Sequence, residues 1–475
     1  MRRIILIALL AAIIPGLKAQ QTWSLERCIE HARTNNLQLK QQQLLVKAAE
    51  ADALQSKLDL LPGLNANASH VYNYGQTIDR YTNQFATSRV QSNNFYLQGG
   101  VTLFNGFQKL NYIKQRQIDL MATMQDIERY TNDLALNIAT FYMQVLYYKE
   151  LVNIRTNQLE ITRQQMDRMR KLVDAGTMAA GEGFIIEAQI ATEESALVQA
   201  ENLLDISMLT LTQLLDLPST EGFDIEVPEL SVEDEPAITN DPEAIYSYAL
   251  KNQPEIEAAR LREQSGMKQL ARARGLHSPT LSLSGSWGTG YSGASTVPGD
   301  PIPGDIVPIG YTSTTTGDTS IVYTQTFNTP FTNKSWNDQI RDNNNQSIGL
   351  YLSIPIFNGW QSRTAVSKSK IALENARLDV EVQSLQLRKT IYTAWTDAKA
   401  SLKNYDAAQK KINATRESFR YAEQKFNVGI MNSVDYNNSK KDLTNAESEL
   451  LQGKYDFIFK STVLDFYMGK PLSLK

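Results

Sequence analysis

The chain carries one cysteine, Cys28, and three histidines in 475 residues. A single thiol excludes an internal disulfide framework, and His31, His70 and His277 stand at no metal-ligand spacing. There is no phosphate-binding glycine loop, no Gly-x-Ser-x-Gly elbow and no Cys/His pair. No cofactor is therefore expected, and the chain reads as a non-enzyme. Long apolar runs are scarce too. The one candidate, Ile4–Ile14 inside "MRRIILIALLAAIIPGLKAQ", is shorter than the about 20 residues a spanning helix needs. With two arginines before it and small residues after it, residues 1–19 read as a secretory signal peptide cut after Ala19. Removing Arg2, Arg3 and Lys18 takes the formal charge from −4 to −7, which argues against nucleic acid as a partner. Cys28 lies past the cut with no small-residue lipobox before it, and is expected as a small half-buried side chain on a first helix.

What the chain has instead is itself, twice. "LFNG" at Leu103–Gly106 returns as "IFNG" at Ile356–Gly359, 253 positions on. The same offset carries Gly176 to Gly429, Leu197 to Leu450 and Pro218 to Pro471. Upstream the offset is 217: Ala32 falls on Ala249, Asn35 on Asn252, Pro62 on Pro279 and Leu64 on Leu281. The offsets differ by 36, so the second copy has one insertion between Pro279 and Ile348. The sequence is a tandem duplication, with repeats over 20–240 and 242–475.

Proline and glycine are missing from Gln108–Asp174 and again from Gln361–Asn427. In the second stretch Ala398, Tyr405, Ile412, Phe419 and Phe426 recur every seven residues beside a small row, Ala394, Ser401, Ala408, Thr415 and Ala422. A sustained heptad marks coiled-coil packing, and a small row lets helices approach closely. Each helix would be about 100 Å long at the helical rise. Globular helices average about three turns, so this length suits something that crosses a gap. Long helices are expected over 106–174 and 359–428, with return helices over 183–217 and 434–466 after Gly176 and Gly429. An extended acidic linker, 219–241, joins the repeats.

Between helices the period changes to two. "FYLQGGVTLF" and its copy "SIGLYLSIPIF" alternate apolar and small or polar residues, as do "LNANASHVY" and "LSLSGSW". Hairpins are expected over 62–105 and 279–357, the second with a long polar extracellular loop holding the insertion. Strands of about 9–11 residues suit a membrane β-barrel. Four strands cannot close one, and an open edge in lipid leaves backbone groups unpaired. Three copies give twelve.

On these residues the chain resembles the TolC family of bacterial outer-membrane channels. The carriers are the duplicated plan, "FNG" after strands two and four, proline at the helix-to-strand joins ("LLPGLNAN", "HSPTLSLS"), "FNVGIMNSVD" and "LTQLLDLP". The resemblance implies a mixed membrane α/β fold: a tandem-duplicated protomer with four transmembrane β-strands and long coiled-coil helices. It implies a homotrimer whose 12-stranded β-barrel sits in outer-membrane lipid and is continued by a periplasmic α-helical barrel. It also implies a duct serving an efflux pump or a type I secretion system, with a periplasmic adaptor protein and an inner-membrane transporter as partners. The adaptor-docking tips would be Ala175, Gly176, Thr177 and Met178, and Val428, Gly429, Ile430 and Met431. Family tips read Val-Gly-Leu or Val-Gly-Thr, so Ala175 departs from the pattern.

Six residues after each tip glycine stands an acid, Glu182 and Asp435. One reading is local, since an acid in a helix's first turn is favoured by the helix dipole. The other is the family's constriction, where six carboxylates in the trimer would ring the closed end. The family's gate arginine is replaced by Met431 and its second acid by Asn438, so no salt-bridge lock carries over. The competing whole-chain reading is a periplasmic or surface coiled-coil protein acting as a spacer or adhesive stalk.

Overall fold

The structure, a computed structural model, describes residues 22–86, 89–230, 232 and 241–474. The leader and the centre of the acidic linker lie outside the described residues. Repeat one runs α1 (Leu25–Asn35), α2 (Leu37–Leu58), β1 (Gly63–Asn73), the short β2 (Thr77–Ile78) and β3 (Phe85–Ala86), β4 (Val90–Phe104), α3 (Gln108–Asp174) and α4 (Ala180–Leu214). Repeat two opens with α5 (Pro242–Asn252), α6 (Pro254–Arg274) and β5 (Thr280–Ser292). Its loop region holds β6 (Thr296–Pro298), β7 (Ile302–Ser313), β8 (Thr319–Asn328), β9 (Phe331–Asn333) and α7 (Trp336–Asp342). It closes with β10 (Asn345–Ser353), α8 (Gln361–Asn427) and α9 (Ser433–Tyr467).

Two compact units cut across the repeats. One takes the described residues up to Asp52 with Gln115–Met267 and from Ile371 onward; the other takes Ala53–Lys114 and Lys268–Lys370. The first unit is helical, and its core comes in two versions. Ile245, Ala249, Ile256, Leu387, Ile391, Ala398 and Leu464 pack together in repeat two. Shifted back by 217 or 253, they are Cys28, Ala32, Leu39, Leu134, Ile138, Val145 and Leu211, every one buried. The repeat-one version is larger because the linker adds Phe223 and Ile225, and α9 adds Leu451, Tyr455 and Ile458. Trp23 bridges Ile225 as a parallel strand pair, and the Tyr142 hydroxyl donates to the carbonyls of Trp23 (3.0 Å) and Glu226 (2.8 Å). Cys28 is fully buried rather than half-buried. That enclosure pushes its thiol up to about 12, so it is an inert packing residue.

The second unit is built on one antiparallel sheet in the order β1-β4-β5-β10. Its hairpins have the same register under the duplication, with Leu64 opposite Gly99 and Leu281 opposite Leu352. The inner pair joins the repeats, Leu97 opposite Trp287 and Val101 opposite Leu283. Each FNG turn places two residues at positive φ, Gly106 (66°) with Phe107 (61°) and Gly359 (60°) with Trp360 (64°). A Cβ on Gly106 would lie 2.6 Å from the Gly275 carbonyl oxygen at the end of α6, so this turn needs glycine for conformation and for space.

The expected long polar loop of repeat two is itself structured: β6 pairs with β9 and β7 with β8. Its richness in Thr, Gly and Pro masks a period-two pattern in β8, where Ile321, Tyr323, Gln325 and Phe327 alternate with Ser320, Val322, Thr324 and Thr326.

Candidate functional site

Three features of the two units are candidates for function: the sheet's faces, the helix tips, and the wall of packed helices behind the tips. The registers settle the first. Leu64, Ala66 and Ala68 of β1 stand on one face with Phe95, Leu97 and Val101 of β4, Leu283 and Trp287 of β5, and Ile348, Leu350 and Leu352 of β10. The opposite face carries Asn65, Asn67 and Ser69, then Tyr96 and Gln98, then Ser282, Ser284 and Ser286, then Ser347, Tyr351 and Ser353. The first face is predominantly apolar across the four strands, turning polar only toward the loop end at His70, Asn93, Thr289 and Gln346, and the other is mainly polar. Ser286 and Ser347 share a 2.7 Å hydrogen bond on the polar face. Both outer edges, β1 and β10, lack a partner strand among the described residues.

The tips are duplicates in backbone detail. Gly176 has φ 71° and Gly429 φ 76°. In each, the glycine N–H donates to a carbonyl three residues back and the next N–H to one five back: Gly176 to Val173 and Thr177 to Leu172, Gly429 to Phe426 and Ile430 to Lys425. These are Schellman ends, which satisfy the last carbonyls of the long helices. Ala175, Gly176, Thr177, Val428, Gly429 and Ile430 are exposed, whereas Met178 and Met431 are half-buried. Met178 packs against the cluster of Met166, Met169 and Ile186, as does Phe426.

Glu182 and Asp435 both stand in the first turn of their return helices, with different partners. Asn432 caps α9, its side chain accepting from the Asp435 N–H (2.8 Å) and donating to the Asp435 carboxylate (3.0 Å). At α4 the equivalent cap position is Ala179, which offers no side chain. Glu182 keeps one enclosed carboxylate oxygen with no hydrogen-bond partner. Neither acid forms an ion pair among the described residues, and the structure shows no contact that joins them within a protomer.

Behind the tips α3, α4 and α9 pack against one another. Tyr436 of α9 stacks on Phe426 at 4.5 Å between ring centroids and is hydrogen-bonded by Gln165 of α3; burial pushes its hydroxyl up to about 12. Further along, Gln158 and Thr162 of α3, Glu193 of α4, and Lys440 and Thr444 of α9 form a buried polar network. The Lys440 ammonium lies 3.6 Å from the Glu193 carboxylate and donates to the Gln158 carbonyl at 3.2 Å. Burial holds the Lys440 ammonium below its ordinary value, against the pull of Glu193. Sequence reasoning missed this cluster. The available signal was Lys440 standing in the row Ser433, Tyr436, Lys440, Thr444 and Leu451, a buried-face spacing that a solvated lysine would not occupy.

The family model described as "Outer membrane efflux protein" matches residues 28–216 and 245–470. The chain belongs to that family. This efflux-family chain is 24% identical to the outer membrane protein TolC of Escherichia coli over 466 residues, 94% of this chain and 83% of the relative. It is 22% identical to the outer membrane efflux protein BepC of Brucella suis over 363 residues, 76% of this chain and 69% of the relative. Among solved structures it resembles the outer membrane protein VceC of Vibrio cholerae, with a TM-score of 0.73 at 15% identity, covering 94% of this chain and 97% of that one. It also resembles the CmeC outer membrane channel of Campylobacter jejuni, with a TM-score of 0.74 at 16% identity, covering 95% and 87%. The fold is that of the trimeric outer-membrane channels, and the family's place is the outer membrane. The coiled-coil stalk reading is not favoured.

Proposed function

We propose that this chain is one third of a passive outer-membrane exit duct, serving a tripartite efflux pump or a type I secretion system. The observation that carries it is the sheet: predominantly apolar on one face, mainly polar on the other, and unpaired at both edges among the described residues. A two-faced sheet with open edges is a barrel segment, with lipid outside and water inside.

The duplication supplies the missing pairing. Within the chain, β4 of repeat one pairs with β5 of repeat two, Gly99 opposite Gly285. Shifting the first by 253 and the second back by 217 pairs β10 with the next protomer's β1, Leu352 opposite the partner's Ala68. On this reading all six junctions between repeats in the trimer have one register.

The tips Ala175–Met178 and Val428–Met431, exposed but for their two methionines, are the surface offered to the periplasmic adaptor of an inner-membrane transporter. Glu182 and Asp435 line the constriction behind them. Transport here needs no catalytic step. Membrane fractionation together with planar bilayers tests both levels. The protein should sediment with outer membrane and conduct; recovery in inner-membrane or soluble fractions contradicts the duct. Glu182→Gln with Asp435→Asn should weaken cation selectivity and block by multivalent cations, with helix content unchanged. Lower thermal stability with unchanged selectivity would make both acids helix-start residues only.

A further inference from the structure

The insertion unique to repeat two carries an apolar face that is left largely open among the described residues. In the β7–β8 pair, Tyr311 stands opposite Ile321, Pro308 opposite Tyr323, Ile306 opposite Gln325 and Pro303 opposite Phe327. Ile306, Tyr311, Ile321, Tyr323 and Phe327 are 45–76% exposed. Five such side chains amount to roughly 500 Å² of apolar surface, at the level where an exposed patch marks an interaction site. The other face mixes Thr312, Ser320, Thr324 and Thr326 with Ile302, Val307 and Val322, and carries no aromatic residue. Pro303 and Pro308 remove two N–H donors from the β7 edge, so partners are turned away from edge pairing and toward the face.

Lipid is a poor occupant. β6, β9 and α7 separate this hairpin from the sheet, and Trp336 of α7 meets Phe95 at 6.4 Å, marking an aromatic boundary at the sheet's loop end. A second copy of this chain is the better one, because the patch is continuous with the trimer seam. The hairpin returns through β9 and α7 directly into β10, the edge strand. By the register derived above, the loop end of β10 lies beside the partner's β1 where that strand enters the β2–β3 loop. That loop exposes Tyr74, Ile78 and Phe85. It is also firmly placed, since Asp79 accepts from the Tyr81 N–H (3.1 Å), from the Thr82 N–H (2.8 Å) and hydroxyl (3.0 Å), and from the Ser292 hydroxyl (2.5 Å).

We propose that the apolar face of the β7–β8 hairpin docks on the β2–β3 loop of the neighbouring protomer, latching the outer mouth of the trimer across its seam. The proposal rests on the trimeric duct, and its test is read only on assembled trimers, so the two fail separately. Two chains, one Phe85→Cys and one Tyr323→Cys, both on a Cys28→Ser background, are co-expressed and treated with a short bismaleimide. The latch predicts covalent dimers in the mixture and none with either chain alone. Linked Tyr323→Cys homodimers would mean that the hairpins meet one another, and no linkage in intact trimers would mean that the face is free; either overturns the proposal. As a second measure, Tyr323→Ser with Phe327→Ser should lower the dissociation temperature of the detergent-resistant trimer by several degrees while conductance stays. An unchanged dissociation temperature contradicts the latch.

Discussion

The face that repeat one turns toward repeat two is buried, and the matching face of repeat two is bare. Ile118 of α3 packs with Leu261 of α6, at 9% and 7% exposure. Their duplicates are Ile371 of α8 and Leu44 of α2, at 63% and 59%. Gly106 is walled in by Gly275 and Ser278, whereas a Cβ on Gly359 would meet nothing within 4 Å. β4 has β5 beside it, and β10 has no strand on its outer side among the described residues. The same residue types at the same offsets are satisfied once and left open once. Such a pattern is what a ring shows when its unit is one repeat and its chain holds two. The next chain's repeat one closes what repeat two leaves open, and isologous dimerisation would not, because the open faces on the two ends differ.

The comparison is broken most severely where the repeats have diverged. Glu193 with Lys440 is buried, but the duplicate of Glu193 is Ala446 and that of Lys440 is the exposed Glu187. Glu193→Ala should therefore strand a buried ammonium and cost about 3–5 kcal/mol. Glu187→Ala should stay within about 0.5 kcal/mol. Chemical denaturation of the detergent-solubilised protein checks both, and equal costs would remove the proposed asymmetry. Next in size is the lipid face. Leu97 and Leu350 are duplicates on the apolar face, so arginine at either should cost about 2–4 kcal/mol if the site is near the bilayer midplane, with Ser353→Arg far milder. Folding yield into lipid vesicles reads this directly, and a mild effect at Leu97 or Leu350 would reverse the face assignment. Smallest are the tips, where a side chain at φ above 70° costs about 1–2 kcal/mol. Gly176→Ala and Gly429→Ala should show this equally in thermal melts, since space is open at both; unequal losses would show that one tip is under tertiary constraint.

Much of this was legible in the sequence because its signals are local and periodic. Absence of breakers reads as continuous helix, alternation reads as a two-faced strand, and a constant offset reads as duplication without any structure. The rest depended on which helices become neighbours. Lys440 meets Glu193 only because α4 and α9 pack together beside α3, and no spacing within one helix announces that. The strands of the second loop are hidden by composition, since abundant threonine, proline and glycine outweigh the alternation in β8. The core around Cys28 also takes in Phe223 and Ile225, contributed by a linker some two hundred residues away.

The register across the seam is the account's most exposed claim. Ala68→Cys with Leu352→Cys, on a Cys28→Ser background, places the two thiols in opposed positions of adjacent chains. Oxidation of membranes should give covalent trimers on a non-reducing denaturing gel, while Ala68→Cys with Tyr351→Cys, on opposite faces of the sheet, should give almost none. Monomers only, or linkage favouring the Tyr351 pair, would contradict a ring in which three chains repeat one junction six times.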